Sequence, residues 1–177
     1  MATVRIIDLP AFAVIGMKTW IGGPDNAAFG RFWDQCTEDG SIQLLRQIKE
    51  QAGLPAGPRT GAALLGISRV EQDPSSRSFY YMIAIEAPER EMPGLETGPL
   101  ERCAIPAARW AVFACRGPVP GSIVASEMYA FLEWLPASGY RHAHAPEMEV
   151  YPAISGAASN GEDYCEFWLP VEPIDPE

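Results

Sequence analysis

The chain has 177 residues, of which 47% are hydrophobic, and its 23 acidic against 13 basic residues give a formal net charge of -10. This apolar content excludes a disordered chain and suffices for one sizeable core. The acidity argues against nucleic acid as a partner, because phosphate binding needs a basic surface that releases counterions; a small cation is favoured by such a field, although surplus acid also serves solubility alone.

In chain order, residues 4–20 read as an extended segment broken at Leu9-Pro10, since proline cannot donate to a sheet ladder. Charges inside this early apolar stretch leave it without the uninterrupted apolar run expected of a signal peptide, and no later run is long enough to span a bilayer. Gly22 to Asn26 form a turn cluster in which Asp25 or Asn26 is placed to cap a helix. Over residues 27–51, Phe29, Phe32, Trp33, Cys36, Leu44, Leu45 and Ile48 recur at helical spacing, and Gly40 makes this one bent helix or two short ones. Two strand-like runs follow, 62–70 and 79–87, joined by a polar loop holding Asp73-Pro74. Residues 88–99, rich in proline and glycine, connect two halves.

The second half repeats this order. Residues 100–116 are extended and broken at Ile105-Pro106, and a helix over 122–135 shows an apolar face of Ile123, Met128, Phe131, Trp134 and Leu135. Residues 147–154 and 164–171 read as two strands. LPAFAVIGMKTWIGGP (9–24) parallels IPAARWAVFACRGPVP (105–120) at the same structural step. The expected fold is therefore α+β: duplicated strand-helix-strand-strand units, about 1–87 and 99–172, pairing as an antiparallel sheet with two helices on one face. All 177 residues are expected to form a single domain, with a groove between the halves as the natural small-molecule site.

Serine-hydrolase, P-loop and dinucleotide signatures are absent from the sequence. His142 and His144 stand in a turn without nearby Asp or Cys, which favours a solvated loop over a metal site. Cys36, Cys103, Cys115 and Cys165 are scattered without a C-x-x-C pair, as in a reduced cytoplasmic protein. No cofactor and no metal are expected. Carboxylates inside strands are more informative. The strand period puts Glu166 and Trp168 on one face, Glu149 and Tyr151 on one face, and Phe79 with Tyr81 on a face opposite Tyr80 and Glu86. An acid beside an aromatic ring is what a cation site needs. The competing reading is a solvated sheet face with Glu166 in water, and aromatic residues such as Trp33 and Trp134 that serve only as core.

IPAARWAVFACRGPVP (105–120), FLEWLPASGY (131–140), PEMEVYP (146–152) and YCEFWLPV (164–171) follow one another in an order that resembles the GyrI-like small-molecule-binding domains, with FWDQ (32–35) and YYMIAIE (80–86) as matching parts of the first half. The resemblance implies the duplicated fold seen in effector domains of AraC- and MerR-type regulators, Rob C-terminal-like, and also in stand-alone drug binders, gyrase-inhibitor-like proteins and hydrolases of cyclopropane-containing DNA-alkylating compounds. The length leaves no room for a helix-turn-helix, which points to the stand-alone form. Carried over, the pocket acids fall on Glu166 and Glu149, with Glu147 the alternative to Glu149 if the register shifts. Trp33, Trp134, Tyr151 and Trp168 are candidates for the aromatic wall, with Tyr81 and Trp110 beside them. The expected activity is binding of a lipophilic, often cationic small molecule, without direct nucleic-acid or membrane contact. The alternatives are hydrolysis by Glu149 and Glu166, and docking on a protein partner.

Overall fold

The computed structural model describes residues 3–52, 63–70, 78–88, 98–152 and 164–174. The first half runs β1 (Val4–Leu9), β2 (Phe12–Ile21), α1 (Ala27–Glu38), α2 (Ser41–Gln51), β3 (Leu64–Ser68) and β4 (Phe79–Glu86). The second runs β5 (Glu101–Ile105), β6 (Ala108–Arg116), α3 (Gly121–Tyr129), β7 (Tyr140–His142), β8 (Glu147–Tyr151) and β9 (Tyr164–Pro173). Helix α3 continues through a π-helical turn (Ala130–Trp134) into a last helical turn (Leu135–Ala137). No helix among the described residues is long and apolar enough to cross a membrane.

The expected breaks are real and have local causes. Gly40 separates α1 from α2 with φ of 82°, a left-handed conformation that a side chain resists, and the Asp39 carboxylate accepts from the Ser41 amide at 2.9 Å. Asn26 precedes α1 without a side-chain cap, while Asp25 pairs with Arg31. Pro10 and Pro106 each end one strand of an extended segment and let the next begin in a new direction. Strand β7 differs from expectation: residues 140–142 pair with β9 instead of remaining in a turn.

The strands form one antiparallel sheet in the order β1-β6-β9-β8-β3-β4-β2-β5, with β7 also on β9. The halves meet where β3 pairs β8. Each half also lends a short arm to the other: β1 pairs with β6, and β5 pairs with β2. This exchange dictates the shape of the sheet. Strands β1 and β2 stand six spacings apart in the sheet order, roughly 29 Å if it were flat. Only Pro10 and Ala11 join them, a link that reaches about 11 Å. The sheet must curl until its ends approach.

Curling gives the two faces different cores. The inner face buries Val14, Leu65, Ile67, Met82, Trp110, Val112, Met148, Val150 and Trp168 against one another, without any helix among the described residues. On the outer face α1 and α2 bury Phe32, Cys36, Leu45 and Ile48 against Met17, Tyr81, Ile83 and Ile85 of β2 and β4. There α3 buries Ile123 and Ala130 against Phe113, Cys115, Phe167 and Leu169 of β6 and β9. Each fully buried side chain of this size contributes roughly 1.5–3 kcal/mol. All the helices among the described residues lie on one face.

Candidate functional site

Register shows what lies between the helices. Directly opposed residues of neighbouring strands share a face, and Met17, Ile83, Gly66, Glu149, Phe167 and Phe113 form one such row across the outer face. Helices α1 and α2 occupy one end of the row and α3 the other, so Gly66 of β3 and Glu149 of β8 mark the seam. Met148 and Val150 point to the inner core, leaving Glu147, Glu149 and Tyr151 on the helical side.

Glu149 is enclosed by protein on almost every side yet keeps some exposure. Its Oε2 accepts from Tyr151 Oη at 2.7 Å and from Tyr81 Oη at 3.1 Å. The Tyr81 oxygen in turn accepts from Trp33 Nε1 at 2.9 Å, and the Trp33 ring meets Tyr151 edge to face at 5.2 Å. Gly66 makes this cluster possible. A Cβ there would collide with Tyr81 Oη and lie 2.6 Å from Glu149 Oε2.

The electrostatics follow from burial. Desolvation raises the Glu149 pKa above the ordinary carboxylate value, opposed by the hydrogen bonds from Tyr151 and Tyr81. Burial, with the Glu149 charge added, pushes both tyrosines well above theirs, so they stay neutral donors. Among the described residues no donor reaches Glu149 Oε1, and no basic side chain pairs with the carboxylate. One oxygen is held and one is offered.

Helix α3 supplies a second acid that sequence reasoning did not single out. Glu127 is pushed up to about 8, first by desolvation and then by the charges of Glu149 and Glu147. Val124, Glu127, Met128 and Phe131 follow helical spacing and share one flank. Its apolar members are exposed, Val124 by 49%, Met128 by 57% and Phe131 by 37%. Phe131 reaches back to Phe167 and stacks on His142, whose Nε2 shares a 2.9 Å hydrogen bond with Glu147. His142 is therefore half-buried and bonded, contrary to the solvated loop expected for it. Helical spacing around Glu127 was a usable signal, but an acid on an amphipathic helix ordinarily belongs to its solvated side.

Of the candidate residues, Trp33, Tyr81, Glu149 and Tyr151 come together at this seam. The remaining four do not. Val150 lies opposite Glu166 in register, so Glu149 and Glu166 project to opposite faces of the sheet, which corrects the expectation that both acids share one pocket. Glu166 Oε1 accepts from Arg5 and from Tyr164 Oη, each at 2.6 Å, and Oε2 accepts from Trp168 Nε1 at 2.9 Å. Trp168 packs against Trp110 at 6.0 Å inside the curled sheet. Trp134 stacks on Tyr140 and meets Phe113 edge to face, within the core beneath α3.

A separate open depression of about 540 Å³ lies among Asp8, Arg109, His144 and Glu172. Its charges are already satisfied: Arg109 pairs with Asp8 at 2.7 Å, and Glu172 with Arg141 at 2.6 Å. The seam, with uncompensated acids and exposed apolar side chains, is the better candidate for a ligand.

A family model described as GyrI-like small molecule binding domain matches residues 2–172. The chain is similar to the structure of SAV2435 bound to tetraphenylphosphonium, with 19% identity, 96% of this chain and 94% of that one covered, and a TM-score of 0.73. It is similar to the EcmrR C-terminal domain, with 18% identity, coverage of 98% and 99%, and a TM-score of 0.58. A hydrolase encoded by lin2189 from Listeria innocua shows 14% identity, coverage of 96% and 91%, and a TM-score of 0.54. No curated protein matches.

Proposed function

Because the chain belongs to the family of GyrI-like small-molecule-binding domains, we propose that it works as one domain whose seam holds a lipophilic cation, with Glu149 as the counter-charge. The single observation that carries this reading is Glu149 itself. It is a desolvated carboxylate held on one oxygen by two neutral tyrosines, with no basic partner among the described residues. Leaving such a charge uncompensated is costly, and a cation that also covers apolar surface relieves that cost. Trp33 and Tyr151 supply ring faces, each worth roughly 0.5–2 kcal/mol to a cation. Val124, Met128 and Phe131 supply the apolar wall. The binding of tetraphenylphosphonium by SAV2435 is consistent with this chemistry.

The test is calorimetric titration with tetraphenylphosphonium. Wild type should bind, and Glu149→Gln should weaken binding by about 30- to 100-fold, the roughly 2–3 kcal/mol expected for removing one charge of a buried pair. Equal affinity in the two proteins would sink the role given to Glu149.

A second reading, hydrolysis, is favoured by two acids with raised pKa on the helical side of the sheet, Glu149 and Glu127, the second raised in part by the charge of the first. A carboxylate of raised pKa can hold a proton for a leaving group while its neighbour activates water. The pairing of Glu149 with Glu166 does not serve this chemistry, because the sheet lies between them. Turnover of a strained-ring electrophile that Glu149→Gln and Glu127→Gln each abolish, with binding retained in the second, would move the protein into the enzyme class.

A further inference from the structure

Beneath α3, and apart from the seam cluster, Cys115 and Cys165 stand directly opposite each other on β6 and β9. Both thiols are free, both residues are only 1% exposed, and both face the helical layer. Cys115 Sγ donates to the Phe113 carbonyl at 3.6 Å, and the two thiols lie close enough for each to perturb the other's ionisation. Two serines one helical turn apart on α3 look down on the pair. Ser126 lies beside Cys115 and Ser122 beside Cys165, and the Ser122 Oγ is buried without a hydrogen-bond partner among the described residues. Two facing thiols beneath a buried hydroxyl make a sulfur-rich spot suited to a polar or charged guest.

Spacing decides what such a guest must be. Opposed side chains of antiparallel strands have Cβ atoms about 4.5–5.5 Å apart, wider than the roughly 3.5–4.5 Å of a disulfide. Two metal–sulfur bonds of about 2.3 Å laid end to end set the sulfurs about 4.6 Å apart, a separation that thiolates on Cβ atoms about 4.5–5.5 Å apart reach by rotation about χ1. Zinc is a poor fit, because it takes four ligands and no group of three or more His, Cys, Asp or Glu is gathered for a metal among the described residues. Soft ions satisfied by two sulfurs remain.

We propose that Cys115 and Cys165 form a two-sulfur site for a soft monovalent cation of the copper(I) or silver(I) class, roofed by Ser122 and Ser126 of α3. Binding exchanges the two S–H bonds for two metal–sulfur bonds, releases both protons to solvent and changes no oxidation state. Glu149 lies close enough for its charge to act on both sulfurs, so the local field favours a cation. The site is independent of the seam reading, since neither cysteine belongs to that cluster.

The experiment titrates silver(I), without oxygen, into a Cys36→Ala/Cys103→Ala variant, in which Cys115 and Cys165 are the only thiols left. One equivalent should be taken up, X-ray absorption should report two sulfur neighbours, and the melting temperature should rise. Adding Cys115→Ser or Cys165→Ser should abolish stoichiometric uptake. Failure of the parent variant to bind one equivalent, a single-sulfur environment, or undiminished uptake after either serine substitution would each overturn the proposal. If a serine variant does not fold, stoichiometry and sulfur count in the parent decide alone.

Discussion

Glu149 and Glu166 occupy nearly the same local setting. Each sits inside a strand, two residues before an aromatic side chain that donates to it, Tyr151 in one case and Trp168 in the other. Each takes a further donor from an aromatic residue, Tyr81 or Tyr164. The difference is Arg5, which the exchanged arm β1 brings to Glu166 from 161 residues away. One carboxylate is thereby neutralised and locked on the inner face, while the other stays open on the outer one. A local motif of acid and aromatic marks a place where charge is held; whether that charge serves stability or a ligand depends on what the rest of the fold brings to it.

That contrast can be broken most severely at Trp110, which lies with Trp168 on the inner face. Trp110→Ala should cost about 3–5 kcal/mol of stability, as for a large aromatic lost from a core. Chemical denaturation would read this loss, and the surviving folded molecules should bind tetraphenylphosphonium as wild type does. Impaired binding per folded molecule would return Trp110 to the ligand site. Glu166→Gln should cost less, about 1–2 kcal/mol, because hydrogen bonds to a charged group are lost while the half-exposed Arg5 regains water. Its ligand affinity should equal that of wild type, the reverse of Glu149→Gln. A variant at 166 that binds cations poorly while melting normally would erase the distinction between the faces.

The smallest effect sharpens the outer site alone. Glu127 titrates near 8 when folded and near the ordinary carboxylate value when unfolded. A raised folded pKa favours the folded state fully at acid pH, and that contribution is lost as pH rises through about 8. The free protein should therefore lose stability across that window, and Glu127→Gln should flatten the profile. Cation affinity should run the other way, rising as Glu127 ionises beside Glu149, Glu147 and Cys115, with Tyr81 and Tyr151 remaining neutral. Thermal melts and titrations across the range would show both trends; parallel profiles in wild type and variant would remove Glu127 from the site.

Much of the architecture was legible in residue patterns, because its causes are local. Proline at 10 and 106, glycine at 40, helical spacing through Phe29 to Ile48 and the strand alternation of residues 79–87 each restrict the backbone over a few residues. The same alternation correctly placed Tyr81 opposite Tyr80, and Glu149 with Tyr151. Residues 140–142 were not legible as a strand, since three residues pair only when β9 offers an edge. Glu127 was hidden for a similar reason: nothing in the sequence says that α3 brings it within reach of the Glu149 charge.

The sequence by itself determined the elements other than β7, their duplicated order and the two strand carboxylates, since those follow from periodicities of two and 3.6 residues. Only the tertiary structure decided which carboxylate faces the helices and which faces Arg5. Alternation fixes that two neighbours point apart, but which direction is inward depends on how the sheet curls, and the curl arises from β1 and β5 crossing to the opposite half.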